Sequence, residues 1–200
     1  FMDIITSDNL SYKQKVLHLA QAAENSEHPI KTTAEFDRLF AAHALDDMCE
    51  GNAPYRPRYI CPDYQVFAQN GSKFLRFDKP ETLDDLLWGL AALYDNVPSV
   101  TSRPVYVGQL DKIIDPFLEG MTDAEIKPRL RRFLNHIDRT VASGYCHANI
   151  GPEDTRAGRL LLEVDRELMN AVPNFTLKYD PEVTSDEFMR LAVKTTMVCS

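Results

Sequence analysis

A chain of 200 residues can bury a real hydrophobic core as one large or two small domains, and its 44% hydrophobic and 26% charged residues exclude a disordered or fibrous protein. Asp and Glu number 30 against 22 Lys and Arg, and the resulting charge of −8 disfavours nucleic acid and anionic membrane surfaces as partners. Small molecules and other proteins remain.

The opening residues, Phe1-Met2-Asp3-Ile4-Ile5-Thr6, carry neither a basic n-region nor an apolar run long enough for a signal peptide or a membrane span, which reads as a cytoplasmic protein. Phe1 ahead of Met2 is compatible with a cloning remnant or with a cut in a longer chain. Ser11 is placed to cap a helix whose apolar residues Tyr12, Val16, Leu19 and Ala23 recur at helical spacing. Thr32 and Glu35 fit a capping box for a second helix, with Phe36, Leu39, Phe40, Ala44 and Met48 running up to Gly51. After a proline-bearing loop, a short helix over residues 64–69 ends at Asn70-Gly71, with an extended stretch over 73–77 behind it. Thr82 caps the next helix, where Asp84 and Asp85 sit in the first turn and Leu83, Leu86, Leu87, Leu90 and Leu93 line one side.

Thr122 and Glu125 form another capping box ahead of Ile126, Leu130, Phe133, Leu134 and Ile137. Pro128 moves the expected start of the regular helix to about Lys127, with the proline as its first residue. Lys127, Arg129, Arg131 and Arg132 read as a solvated face paired with acidic residues rather than as a nucleic-acid surface. From residue 145 the pattern becomes βαβα. Extended runs over 145–150 and 174–179 alternate with helices carrying Ala157, Leu160, Leu161, Val164 and Leu168, and then Phe188, Leu191, Ala192 and Val198, the last behind a Thr184–Glu187 capping box. Such a pattern implies parallel strands, and two strands make a poor sheet, so further strands are expected from elsewhere. The fold class is therefore α/β, with a mainly helical region over residues 1–143 and a βαβα segment over 144–200, in one continuous domain of a longer protein.

Both extended runs alternate with period two. Cys146, Ala148 and Ile150 share an apolar side opposite Tyr145, His147 and Asn149, and Phe175, Leu177 and Tyr179 oppose Asn174, Thr176 and Lys178. Parallel strands are usually apolar on both faces, so a polar face needs either solvent or a polar lumen. The apolar sides match the helix stripes, which sends Tyr145, His147 and Asn149 away from the helices. His147 and Asn149 are thus candidates to orient a substrate, against a plain structural role in hydrogen bonding. Thr101, Ser102 and Arg103 form the polar part of a proline-bounded connector, where Arg103 has the fork geometry for a carboxylate or phosphate; the competing reading is a surface arginine. Gly151-Pro152 reads as a strand-to-helix turn rather than an anion site. His43 and Asp47 lack a third ligand, so no metal is expected. Cys49, Cys61, Cys146 and Cys199 contain no CxxC pair and read as four free thiols.

The strings Pro98-Ser99-Val100-Thr101-Ser102-Arg103-Pro104-Val105-Tyr106-Val107-Gly108-Gln109-Leu110-Asp111 and His147-Ala148-Asn149-Ile150-Gly151-Pro152 resemble segments of glycyl radical enzymes of the YjjI type, in the pyruvate formate-lyase-like superfamily. Leu10-Ser11-Tyr12-Lys13-Gln14-Lys15, Pro57-Arg58-Tyr59 and Tyr179-Asp180-Pro181-Glu182 agree in the same order, so the resemblance covers nearly the whole chain. It implies a barrel of alternating strands and helices in an anaerobic enzyme that acts on a small molecule. A radical stored on a backbone glycine passes there to a cysteine that abstracts hydrogen from substrate. The resemblance further implies a separate radical S-adenosylmethionine activase that installs the radical, and is compatible with a homodimer of the parent. The resemblance places the cysteine on a loop inside the barrel and the glycine in an RxxGY-like segment, both downstream of the matched region. Neither motif occurs in these residues, so no catalytic residue is assigned and the 200 residues alone are expected to be inactive. The alternative is an acidic, mostly helical interaction module without catalysis.

Overall fold

A computed structural model describes residues 1–24, 31–45, 64–101, 105–140 and 146–199. The chain divides into two compact units, one of residues 1–59 and 99–102, the other of residues 60–98 and 103–200.

The first unit holds three helices. Helix α1 (Met2–Thr6) packs on α2 (Tyr12–Glu24), and Lys15 Nζ donates to the carbonyl of Ile5 at 2.7 Å. Ser11 caps α2 reciprocally with Gln14, whose Oε1 accepts from both the main chain and the hydroxyl of Ser11. Helix α3 (Ala34–Ala41) is capped by Thr33 rather than Thr32: the Thr33 hydroxyl accepts from Phe36 N–H at 3.2 Å, while Thr32 donates to Asp37. It also stops well short of Met48. His43 turns left-handed at φ 51°, its N–H reaches Phe40 O, and Ala44 N–H reaches Leu39 O, which satisfies the last carbonyls and ends the helix.

In the second unit, α4 (Tyr64–Asn70) ends at Gly71, whose φ of 70° suits glycine. The expected extended stretch over 73–77 is instead a tight turn closed by an isolated antiparallel bridge between Ser72 and Phe77. Helix α5 (Leu83–Thr101) starts as expected, with Thr82 and Asp85 bonded to each other through side chain and main chain. It runs through Pro98, so Thr101 ends a helix rather than lying in a connector. Strand β1 (Val105–Val107) follows, then α6 (Leu110–Ile114) and a 3-10 turn over Asp115–Leu118. Helix α7 (Asp123–Thr140) begins at its Thr122–Glu125 box and carries Pro128 inside it, correcting the later start. Pro128 sits only six residues in, where the loss of one bond is tolerated beside an intact cap and a stripe of five buried residues from Ile126 to Ile137.

Strand β2 (Cys146–Ile150), α8 (Arg156–Leu168), β3 (Asn174–Leu177) and α9 (Asp186–Cys199) complete the unit. Thr155 caps α8 through Gly158 N–H at 3.0 Å. At α9 the cap is Ser185, which accepts from Phe188 N–H at 3.1 Å; Thr184 instead accepts from Asp180 N–H and donates to Pro152 O. The sheet is parallel, ordered β1-β2-β3, and its first strand lies before Gly144, inside the stretch read as helical. A continuous core joins Leu86, Leu90 and Tyr94 of α5, Leu130 and Leu134 of α7, and Leu161 and Val164 of α8 to Cys146, Ala148 and Ile150. Fully burying each Leu or Ile there contributes roughly 1.5–3 kcal/mol. Four cations of α7 pair with neighbouring helices: Lys127 with Glu163, Arg129 and Arg132 with Asp84, and Arg131 with Glu167. No helix among the described residues is long and apolar enough to cross a membrane.

Candidate functional site

Register gives the sheet two chemically distinct faces. Val107 pairs with Ala148, Ala148 with Phe175, and Ile150 with Leu177, forming an apolar side. Val107, Cys146, Ala148 and Ile150 are fully buried. Ile150, Phe175 and Leu177 wall a cavity together with Leu162 of α8 and Ala192 of α9, so this side meets the helices. Alternation then turns the other rows away from them. Tyr106 pairs with His147 and His147 with Asn174, while Asn149 pairs with Thr176.

On this polar side His147 and Tyr106 are half-buried, and Asn174 and Thr176 are exposed. Asn149 is 4% exposed, and its Oδ1 has no hydrogen-bond partner among the described residues. Leaving a buried amide oxygen unpaired costs roughly 1–3 kcal/mol, which marks a position waiting for a donor. His147 is held through its main chain, whose carbonyl accepts from the Tyr94 hydroxyl at 3.1 Å. Burial pushes the Tyr94 hydroxyl well above its usual range, so it remains a donor.

The loops at the C-terminal ends of the strands are tied to one another. Asp111, in the first turn after β1, accepts from Gly151 N–H at 3.1 Å and from the Thr155 hydroxyl at 2.8 Å. Burial pushes its carboxyl up, and these two donors oppose the shift. The Gly151 N–H is thereby spent, which agrees with a turn rather than an anion site. Gly151 has φ 75°, and a Cβ there would lie 2.9 Å from Lys178 O. Lys112 pairs with Glu153 at 2.7 Å, Asp115 accepts from Ala157 N–H at 2.8 Å, and Asp154 holds both Arg159 and Ser185. In α/β sheets ligands bind at these strand ends, and here the loops are fixed in advance.

The structure therefore gathers His147 and Asn149 on one face, joined by Tyr106, Asn174 and Thr176. Thr101 is the last residue of α5 and belongs to the first compact unit. Ser102, Arg103 and Tyr145 lie outside the described residues. Asp111 was missed as a tie between loops because a lone acid after a strand gives no spacing signal. Asp165 was missed too, although its place one turn after Leu161 on the apolar stripe is a readable anomaly. Neither Cys146, buried on the apolar side, nor Cys199, beside α8, forms a disulfide among the described residues; Cys49 and Cys61 lie outside them. Among the described residues no group of three His, Cys, Asp or Glu is placed to hold a metal ion, and Asp47, set aside with His43 as too few ligands, is outside them.

The family model described as glycyl radical enzyme YjjI-like matches residues 10–200. The chain belongs to the YjjI-like glycyl radical enzyme family. An uncharacterized protein of Haemophilus influenzae is 45% identical over 202 residues, covering 100% of this chain and 39% of that protein. The uncharacterized protein YjjI of Escherichia coli is 44% identical over 197 residues, covering 98% of this chain and 38% of that protein. The chain thus spans about two fifths of the length of these relatives and aligns as an N-terminal fragment of the family. No solved structure matches it.

Proposed function

We propose that this chain is the N-terminal part of an anaerobic, cytoplasmic glycyl radical enzyme and supplies part of the wall of its α/β barrel, with the polar face of β1, β2 and β3 turned to the lumen. The observation that carries the reading is Asn149, a buried amide with an unpaired oxygen on the polar face of a parallel sheet. In this reading His147 and Asn149 orient a small-molecule substrate, and Tyr106 and Thr176 extend the same surface. Thr101, Ser102 and Arg103 remain proposed substrate contacts from the segment leading into β1.

A glycyl radical, installed by a radical S-adenosylmethionine activase, supplies the hydrogen-abstracting chemistry of the whole enzyme. The residues that would carry it lie downstream of this chain. That division is supported by the two described thiols: Cys146 is buried on the apolar side, and Cys199 is at the end of α9 behind the sheet. This chain's own part is to bind, orient and exclude water.

The test uses the activated full-length enzyme, incubated anaerobically with a cellular small-molecule extract and followed by mass spectrometry. His147→Ala and Asn149→Ala should each slow consumption of the depleted compound by about tenfold or more while leaving the melting midpoint nearly unchanged. A large loss of stability with retained turnover would make these residues structural. The interaction-module reading has no comparable feature in its favour.

A further inference from the structure

A groove of about 420 Å3 runs between α5 and α7, within the size of small-molecule sites, roughly 300–1,000 Å3. Leu87, Ala91 and Phe133 form its buried floor, and Trp88 stands over them, 65% exposed. The Trp88 ring meets His136 at 6.3 Å between centroids and tilted by 53°, a contact that leaves most of the indole open. A large apolar ring beside an apolar floor gains from being covered.

Two guanidiniums line the groove against one carboxylate, Asp84. Arg129 Nε donates to Asp84 at 2.9 Å, whereas Arg132 Nη2 stands 3.6 Å from it, beyond a hydrogen bond. Arg129 also donates to the carbonyl of Glu125 at 2.6 Å, and Asp95, which does not line the groove, holds His136 Nε2 at 3.2 Å. Arg132 therefore keeps 73% of its side chain exposed and its donors without a close partner among the described residues. A guanidinium fork of this kind matches a phosphate or carboxylate.

Spacing separates the two contacts. Arg132 and His136 are four residues apart, about 6 Å along α7. A ring laid on Trp88 beside His136 thus carries its anion on a linker of a few bonds rather than on the ring itself. A nucleoside monophosphate has that shape, with the base on the indole and the phosphate on the guanidinium. A protein partner fits less well. Trp88 is the single large hydrophobic exposed on α5 and α7 among the described residues, whereas a stable interface covers about 800 Å2 on each partner.

We propose that the groove between α5 and α7 is a nucleotide site, in which Trp88 stacks a base and Arg132, beside Arg129, holds the phosphate. The groove shares no residue with the polar sheet face, so its failure would leave the glycyl radical reading standing. The test is calorimetric titration of the full-length protein with AMP, adenosine and ribose 5-phosphate. Stacking is tolerant of base identity, so AMP stands for the class. AMP should bind with a Kd of about 1 mM or tighter, and each of its two halves about tenfold more weakly or worse. Arg132→Gln and Trp88→Leu, both at exposed positions, should each weaken AMP about tenfold while leaving the melting midpoint in place. Absence of AMP binding, adenosine binding as tightly as AMP, or an AMP affinity unchanged in either variant would overturn the proposal. A polyglutamate peptide that binds in place of AMP, and is weakened by the same two substitutions, would overturn it as well and make the groove a protein-docking surface.

Discussion

Asp111 accepts the main-chain N–H of Gly151 at 3.1 Å, a buried bond that joins the turn after β1 to the turn after β2. With Thr155 bonded to the same oxygen, the carboxylate fixes the strand ends beside the polar sheet face. Asp111→Ala should therefore cost about 2–4 kcal/mol, since two donors lose their acceptor at a buried site. Urea denaturation of the variant measures this. A loss below about 0.5 kcal/mol would show that the loops are held by other contacts.

Gly89 offers a test of packing with an inverted sign. Gly to Ala inside a helix ordinarily stabilises by about 0.5–1 kcal/mol. At position 89 of α5 a Cβ would stand 2.3 Å from the Phe67 ring, so Gly89→Ala should destabilise by about 1–3 kcal/mol. Pairing it with Phe67→Leu should recover part of that loss. Gly108→Ala meets nothing within 4 Å and serves as the control.

Much of this packing is legible in the sequence, because capping boxes and apolar stripes are local signals. Thr82 with Asp85, Thr122 with Glu125, and the stripes of α5, α7 and α8 follow directly from spacing. The errors arise where two neighbouring residues are chemically equivalent caps: Thr33 displaces Thr32, and Ser185 displaces Thr184, whose hydroxyl is used across the chain at Pro152. β1 escaped notice because Val105-Tyr106-Val107 is too short to show a period, and only its pairing with β2 makes it a strand. Of the candidate site, the alternation of His147 and Asn149 is visible in sequence. Tyr106 and Asp111 join the site only through register and tertiary contact.

Asp165 predicts a pH dependence. Its carboxyl ionises near 3.8 when unfolded and at about 6 when folded, so its ionisation opposes folding. The stability it contributes is complete below about pH 4 and is lost as pH rises through about 6. In the 200-residue chain, Asp165→Asn should therefore gain on the order of 2 kcal/mol relative to the parent sequence between pH 4 and pH 7.5. Paired urea titrations at both pH values read the difference. A constant gap between the two proteins would contradict the shift.

Reactivity should separate the two described thiols. Cys146 is fully buried, whereas Cys199 is partly accessible, so a maleimide should label Cys199 under native conditions and Cys146 only on unfolding. Mass spectrometry of tryptic peptides reads both. Rapid native labelling of Cys146 would contradict its position under the sheet.

The most direct test of the central reading is electron paramagnetic resonance after anaerobic incubation with a matching activase, S-adenosylmethionine and reductant. The full-length protein should develop a glycyl radical doublet, and the 200-residue chain should develop none. A doublet on the 200-residue chain, or none on the full-length protein under conditions that activate a close relative, would contradict it.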